Sequence, residues 1–211
     1  MYNITLGHGI IKKEFEFLLP NTNKIGLYFS GGIDSSTLLC LMISQILVNN
    51  LDKEVYTFSA YKPTSDHLYA DRLIQIISKH YDYPIIHQSN ILNLNTYGRV
   101  SKTIFMELKF QFPEIEFYLA GNNMAPSELS NFDKRLGVTY TKNRLYHLPF
   151  IDLYKPHIID LCYKIQAEFV LPFTHTCCVQ AVGKCKNCYS CLERQWGFQY
   201  LGFTDIETID L

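Results

Sequence analysis

The chain has almost no charge excess. Its 19 Lys and Arg against 20 Asp and Glu leave a formal net charge of −1. A global basic field of the kind that attracts nucleic acid or anionic membrane is therefore excluded, although local basic patches are compatible with this balance. No apolar run reaches the ~20 residues that a membrane-spanning helix needs. The first stretch, Met1 to Glu16, is mixed and carries Lys12, Lys13 and Glu14. It lacks the apolar core of a secretory signal, so a cytoplasmic address is expected. Internal repeats and low-complexity segments are absent. Two common nucleotide signatures are missing as well. No Gly-x-x-x-x-Gly-Lys-Ser/Thr string occurs, and no Gly-x-Gly-x-x-Gly string occurs.

Against these absences stand 211 residues of which 47% are hydrophobic, enough for one domain with a small appendage. Apolar stretches with strand character alternate with helical patterns. Strands are expected over 24–30, 54–60, 83–88, 116–121 and 145–149. Helices are expected over 35–48, 65–80, 101–112 and 157–169, with a short one from about Leu192. Pro156 suits a first helical turn. Such alternation predicts an α/β fold, a Rossmann-like parallel sheet flanked by helices. Residues 1–23 read as an N-terminal arm, 24–172 as the α/β domain, and 173–211 as a cysteine-rich C-terminal segment packed on it.

The densest signal is Phe29-Ser30-Gly31-Gly32-Ile33-Asp34-Ser35-Ser36-Thr37. An apolar run leads in and a helical run leads out. Two glycines permit close approach of the backbone to a phosphate, and a helix N-terminus favours negative charge. A glycine pair after a strand can also be a plain tight turn, but here strand, loop and helix fall in the order that a phosphate site requires. In open α/β sheets ligands sit beyond the carboxyl ends of strands, where Ser30 and Gly121 are placed.

Seven cysteines in a cytoplasmic chain read as metal ligands or reactive thiols before disulfides. Cys40 and Cys162 stand alone in apolar helical patterns and are expected to be buried packing residues. Five others crowd into 177–191. Cys185, Cys188 and Cys191, spaced by two residues, can converge on one tetrahedral ion. The fourth ligand is Cys177, Cys178 or His175. Structural zinc is the main expectation and an iron–sulfur cluster its competitor.

The string Ser30-Gly31-Gly32-Ile33-Asp34-Ser35-Ser36 resembles the PP-loop of the ATP pyrophosphatase superfamily, whose members adenylate an oxygen and release pyrophosphate. The resemblance implies that Phe29 to Thr37 bind ATP, and that the Ser30, Ser35 and Ser36 hydroxyls with the Gly31–Gly32 amides hold pyrophosphate as it leaves. Asp34 is expected to fix the loop or to help hold Mg²⁺. Some PP-loop enzymes that thiolate RNA carry iron–sulfur clusters, which keeps an RNA-thiolating enzyme as an alternative.

Beyond the loop, the chain resembles the 7-cyano-7-deazaguanine synthases of the queuosine pathway. Pro149-Phe150-Ile151-Asp152 with Lys155, Ile158 and Leu161 is similar to the start of a helix in that family. Thr174-His175-Thr176-Cys177 is similar to its Thr-Trp-Ser-Cys, and Cys185, Cys188 and Cys191 to its next three zinc cysteines. Arg194, Gly197 and Phe198 resemble its Arg-x-x-Gly-Phe tail. Gly98-Arg99, Thr103-Ile104-Phe105 and Ala120-Gly121-Asn122-Asn123 resemble its middle. This registration implies Cys177 as the fourth zinc ligand and leaves Cys178 where the family has tyrosine.

The departures lie at Tyr61–Thr64 and Met124–Phe132. The implied reaction takes 7-carboxy-7-deazaguanine and ammonia, with ATP, Mg and Zn, to the nitrile by two adenylations. The implied catalytic residues are Asp34, Ser36 and Lys155, with Arg99 and Arg194 as further candidates. His147 and His175 are expected to be packing or surface residues. The resemblance also implies a small-molecule substrate and a homodimer, while the charge balance disfavours a nucleic acid partner and the lack of a long apolar run argues for no membrane partner. The alternative on the same scaffold is a ligase that adenylates a different carboxylate or deazapurine for transfer to an amine.

Overall fold

The computed structural model of the chain describes residues 2–59, 66–89, 102–124, 146–180 and 182–206. Five strands form one sheet: β3 (Lys24–Tyr28), β4 (Glu54–Phe58), β5 (Ile85–Gln88), β6 (Phe117–Ala120) and β7 (Tyr146–His147). Their order is β5-β4-β3-β6-β7, and every neighbouring pair is parallel. The chain builds outward from β3 to β5, then returns to the other side of β3 for β6 and β7. That reversal makes the carboxyl ends of β3 and β6 a topological switch point, where open α/β sheets bind ligands.

Side chains alternate across the sheet with period two. Ile25, Leu27, Val55 and Leu119 point to one apolar core, and Tyr28, Tyr56, Phe58 and Tyr118 to another. The first core holds helices α1 (Ile33–Val48), α2 (Asp66–Tyr81) and α4 (Lys155–Lys164); the second holds α3 (Lys102–Gln111). The expected fold class, a parallel sheet with helices on both faces, is the one observed. Gly26 on the central strand is dictated by its neighbour: a Cβ there would lie 2.5 Å from the Tyr118 ring.

Helix α1 is buried nearly all round. Leu38 through Ile43 have no exposed surface, because the sheet covers one side and α4 with the 3-10 turn Glu168–Phe173 covers the other. Cys40 and Cys162 are fully buried here, as expected. Burial pushes the Cys162 thiol up to about 12 and raises Cys40 as well, so both are inert packing groups. Among the described residues no helix is long and apolar enough to cross a membrane.

Two helix boundaries differ from expectation. Helix α4 begins at Lys155, with Pro156 in its first turn, and ends at Lys164. Gln166 adopts a left-handed φ of +58°, which a helix cannot continue, and the chain then tightens into the 3-10 turn. Helix α5 (Tyr189–Tyr200) starts three residues earlier than Leu192, with Cys188 at its N-cap. The last cysteine gap is itself the first helical turn.

Residues 2–17 form an antiparallel hairpin, β1 (Tyr2–Leu6) with β2 (Lys13–Phe17). Its apolar face enters the main core through Leu6, Phe15 and Phe17, and the Phe15 ring packs against Phe150 at 5.8 Å. Polar ties join it to α4. The Gly7 N–H donates to Asp160 Oδ2 at 2.7 Å, and Lys164 Nζ donates to Thr5 O at 2.7 Å. Replacing Phe15 by Ala should destabilise the protein by about 3 kcal/mol or more, as buried Phe-to-Ala changes do. Unchanged denaturant melting would mean that the hairpin is a detachable arm.

His157 clasps the same hairpin. Its Nδ1 accepts the Tyr154 N–H at 2.9 Å, so its Nε2–H donates to Ile11 O. Burial holds its pKa below the ordinary 6.5. Acid therefore protonates the unfolded chain first, so this contribution is full above that value and is lost as pH falls below it. Between about pH 7.5 and about pH 5.5, wild-type protein should lose more denaturant stability than His157→Gln. Equal losses would assign the effect elsewhere, for instance to half-buried His87, which burial also lowers.

Candidate active site and metal centre

Strand β3 ends in a short loop. The Phe29 N–H still pairs with Phe58 O at 2.8 Å, Gly31 takes a φ of +74°, and Gly32 is the N-cap of α1. The first intrahelical bond runs from the Ser36 N–H to Gly32 O at 3.1 Å. The amides of Ile33, Asp34 and Ser35 precede it and have no intrahelical acceptor, so this helix start can receive an anion.

The serines divide the work. Ser35 Oγ accepts the Ser30 N–H, lies 3.2 Å from Ser30 Oγ and donates to Gly32 O. That hydroxyl closes the loop on itself. Ser36 is fully buried, and its hydroxyl has no partner among the described residues. Phe29 and Ile33 are core side chains, and Thr37 is buried beside Cys162. Of these three, the backbone is what remains to meet a ligand.

Gly121, at the end of β6, touches the same turn. A Cβ there would lie 2.8 Å from the Asp34 carbonyl carbon and 2.9 Å from Ser35 N. Only glycine lets β6 come so close to the start of α1.

Lys155 brings charge to this point. It is 1% exposed, so it is no solvated residue at a helix start. Its Nζ lies 2.5 Å and 2.6 Å from the two Asp34 carboxylate oxygens and 3.4 Å from Glu193 Oε2. Glu193 is also buried, and Asn123 Nδ2 donates to it at 2.7 Å and the Tyr189 hydroxyl at 3.2 Å. Four elements thus meet through one ammonium: α1, α4, α5 and the segment after β6. Glu193 escaped the sequence reading. Its position two residues beyond a cysteine ligand was the available signal, but a lone Glu on an amphipathic helix reads as surface.

Arg194 is placed differently from expectation. It is 1% exposed, but it faces the C-terminal tail. Its Nε donates to Asp205 at 2.9 Å and its Nη1 to Thr174 Oγ1 at 2.8 Å. With Thr176 Oγ1 and the carbonyls of Leu171 and Ile206 as further acceptors, it serves as a clamp between the tail and the 171–176 segment. His147 is exposed on β7, and His175 is buried and stacked on the Tyr69 ring at 4.5 Å. Arg99, Tyr61–Thr64 and residues 125–132 lie outside the described residues.

The cysteine segment closes on itself. The Sγ atoms of Cys177, Cys185, Cys188 and Cys191 all lie within 4.8 Å of one another. Cys185 to Cys191 and Cys188 to Cys177 are each 4.0 Å. Four thiolates at ~2.3 Å from one tetrahedral ion stand roughly 3.8 Å apart, so this group could hold a metal ion. Backbone N–H groups of Gln180 and Cys188 point at the sulfurs of Cys177 and Cys185. Such donors, the Asn187 N–H foremost, lower Cys185 to about 6, whereas burial raises Cys191. Cys178 is exposed and outside the group, and His175 is turned to Tyr69.

With this geometry in view, comparison with known proteins is informative. Residues 124–202 match the family model described as "Queuosine biosynthesis protein QueC". The family named from the sequence is the family matched. That segment carries Lys155, Glu193 and all four clustered cysteines. No curated protein matches the chain by sequence.

Solved structures similar to it include the following three. One is the U34-tRNA thiolase NcsA from Methanococcus maripaludis with its [4Fe-4S] cluster, at 12% identity and TM-score 0.45, over 70% of this chain and 57% of that one. Another is NAD+ synthetase from Burkholderia pseudomallei, at 16% identity and TM-score 0.42, over 82% and 66%. The third is Candida glabrata FMN adenylyltransferase in complex with FMN and the ATP analog AMPCPP, at 14% and 0.44, over 83% and 65%. The chain thus spans 57% to 66% of the length of these proteins.

The ligand set is directly testable. Cys177→Ser should cut bound metal to well below one equivalent by elemental analysis, whereas Cys178→Ser should retain it. Full metal in Cys177→Ser would remove that residue from the centre.

Proposed function

We propose that the chain is an ATP-dependent synthase converting 7-carboxy-7-deazaguanine and ammonia to 7-cyano-7-deazaguanine, releasing AMP and pyrophosphate. The observation that carries this reading is the Lys155 ammonium. It comes from the segment that matches the queuosine family and rests on Asp34, inside the phosphate loop's helix.

The chemistry balances with two ATP. A carboxylate oxygen attacks the α-phosphorus, the bond to the bridging oxygen breaks, and pyrophosphate leaves with the electron pair. Ammonia attacks the acyl carbon, loses a proton and displaces AMP, giving an amide. The amide oxygen attacks a second ATP in the same way. Loss of the remaining protons from nitrogen, with departure of AMP, leaves the nitrile. Both carboxylate oxygens exit within AMP, so no water is consumed. Water would instead hydrolyse the acyl-adenylate, which favours a closed site.

Under this reading the amides at the start of α1 and the glycine loop receive the departing pyrophosphate; a well-placed donor of this kind contributes roughly 3 kcal/mol. Lys155 neutralises Asp34, so that a carboxylate beside the phosphates does not repel them. An ammonium already spans both Asp34 oxygens, which disfavours a second cation there; Mg²⁺ would arrive on the triphosphate. Ser36 would serve the loop from beneath, its buried hydroxyl available to an adjusting backbone. The four thiolates suit Zn²⁺, which would hold the C-terminal segment closed. Their 4.0 Å separations favour a single ion, because a cubane places each thiolate on a different iron and holds the sulfurs further apart.

Zinc-loaded protein given ATP, ammonia and 7-carboxy-7-deazaguanine should form the nitrile with two AMP per product, read by mass spectrometry. Neither AMP nor nitrile would reject the proposal. AMP formed only with another acceptor would point to the related ligase. Iron in the elemental analysis would support an RNA-thiolating enzyme. Asp34→Asn should lower AMP release by about 100-fold or more, since it leaves the buried ammonium short of its main counter-ion; unchanged turnover would contradict the role given to the loop.

A further inference from the structure

Nothing in the reaction chemistry calls for Glu193, yet this buried carboxylate is tied to three groups on three different segments. Asn123 follows β6, Tyr189 opens α5, and Lys155 opens α4. Its helix is tied to the cysteine cluster: Cys188 is the N-cap of α5, and Cys191 lies two residues before Glu193. The same helix also shapes the stem of Lys155. At Gly197 a Cβ would lie 2.8 Å from Lys155 Cγ, so α4 and α5 touch through a notch that only glycine leaves open. Both ends of the lysine side chain are therefore located by α5. The other arm of the cluster reaches the phosphate loop itself. Two residues before Cys177, the His175 N–H donates to Gly31 O at 3.0 Å.

We infer that Glu193 is a positioning residue through which the four-cysteine cluster sets the Lys155–Asp34 pair, so that metal binding and nucleotide binding are coupled in this chain. The inference rests on the nucleotide reading above but not on the identity of the acceptor. A gathered cluster holds the start of α5 and the 174–177 segment in place. Glu193 then keeps the ammonium over Asp34, and His175 keeps Gly31 in its left-handed turn. Release of the metal frees both arms together. Coupling of this kind is reciprocal: whatever factor the metal adds to nucleotide affinity, the nucleotide adds to metal affinity.

The test uses zinc and the non-hydrolysable ATP analogue AMPCPP. Calorimetric titration of zinc-loaded and zinc-stripped wild-type protein should show AMPCPP affinity about tenfold lower without zinc. In the loaded protein, equilibrium competition with a chromophoric chelator should show zinc affinity raised by AMPCPP by a comparable factor, which guards against unfolding of stripped protein. Glu193→Gln keeps the side chain's size but not its charge. Zinc-loaded Glu193→Gln should melt cooperatively and bind AMPCPP more weakly, and stripping zinc should then change its affinity clearly less than in wild type, the remainder passing through the His175 arm. Glu193→Asp, which restores the charge, should recover part of the coupling.

Equal AMPCPP affinity with and without zinc in folded protein would overturn the inference, as would full wild-type coupling in Glu193→Gln. Absence of AMPCPP binding to zinc-loaded wild type would reject the nucleotide reading and this coupling with it.

Discussion

The arrangement turns on one buried ammonium. Lys155 sits at the start of a helix, within 2.6 Å of both Asp34 oxygens and 3.4 Å from Glu193. At such separations and an effective dielectric of about 20, an ion pair gains on the order of 5 kcal/mol. Removing each ion from water costs several kcal/mol. The two nearly cancel, so the pair adds little net stability and its value is positional. Removing one partner is a different matter, because the remaining charge is then buried without compensation. The neighbouring residues follow from that constraint. Gly197 admits the lysine stem, Gly121 admits the end of β6, and Asn123 and Tyr189 satisfy the second carboxylate.

The sheet supplies the place where these groups converge. Because the chain runs from β3 to β5 and then returns to β6, the carboxyl ends of β3 and β6 form the switch point at which open α/β sheets bind ligands. The glycine loop and Gly121 meet there in direct contact. The C-terminal segment joins the main core through Phe198, with Phe173 and Leu201 packed against it. Its other anchors are polar and sulfur-based: the four-thiol group, the Arg194 clamp on Thr174 and Asp205, and the bond from His175 to Gly31. A metal held by the four thiols would add to that cohesion.

Much of this was legible from residues close together in sequence. Strand, glycine pair and helix read directly because the phosphate loop is local. Cys185, Cys188 and Cys191 read directly because two-residue gaps return a chain to the same point. Cys40 and Cys162 were legible as packing groups from their apolar surroundings, and the structure buries both. Glu193 was not legible, since a carboxylate on a helix declares nothing until its distant partners, Lys155 at 38 residues and Asn123 at 70, are known. Arg194 was misplaced for the same reason: its donors reach Asp205 and Thr174, and spacing alone cannot tell those acceptors from a phosphate.

What the sequence by itself determined is the chemistry available: a glycine loop at a helix N-terminus that can receive an anion and has no terminal lysine, four thiols able to share one ion, and alternating apolar patterns that specify a parallel sheet. Local backbone geometry and side-chain type are enough for those. The tertiary structure decided which carboxylates hold Lys155, and it placed Cys177, the residue that the family resemblance implied, in the thiol group and left Cys178 and His175 outside it. It also turned the first residues into a hairpin sealed into the core. Each of these depends on burial and on contacts across the fold, where the cost of an unpaired charge or an uncovered ring selects one partner among many.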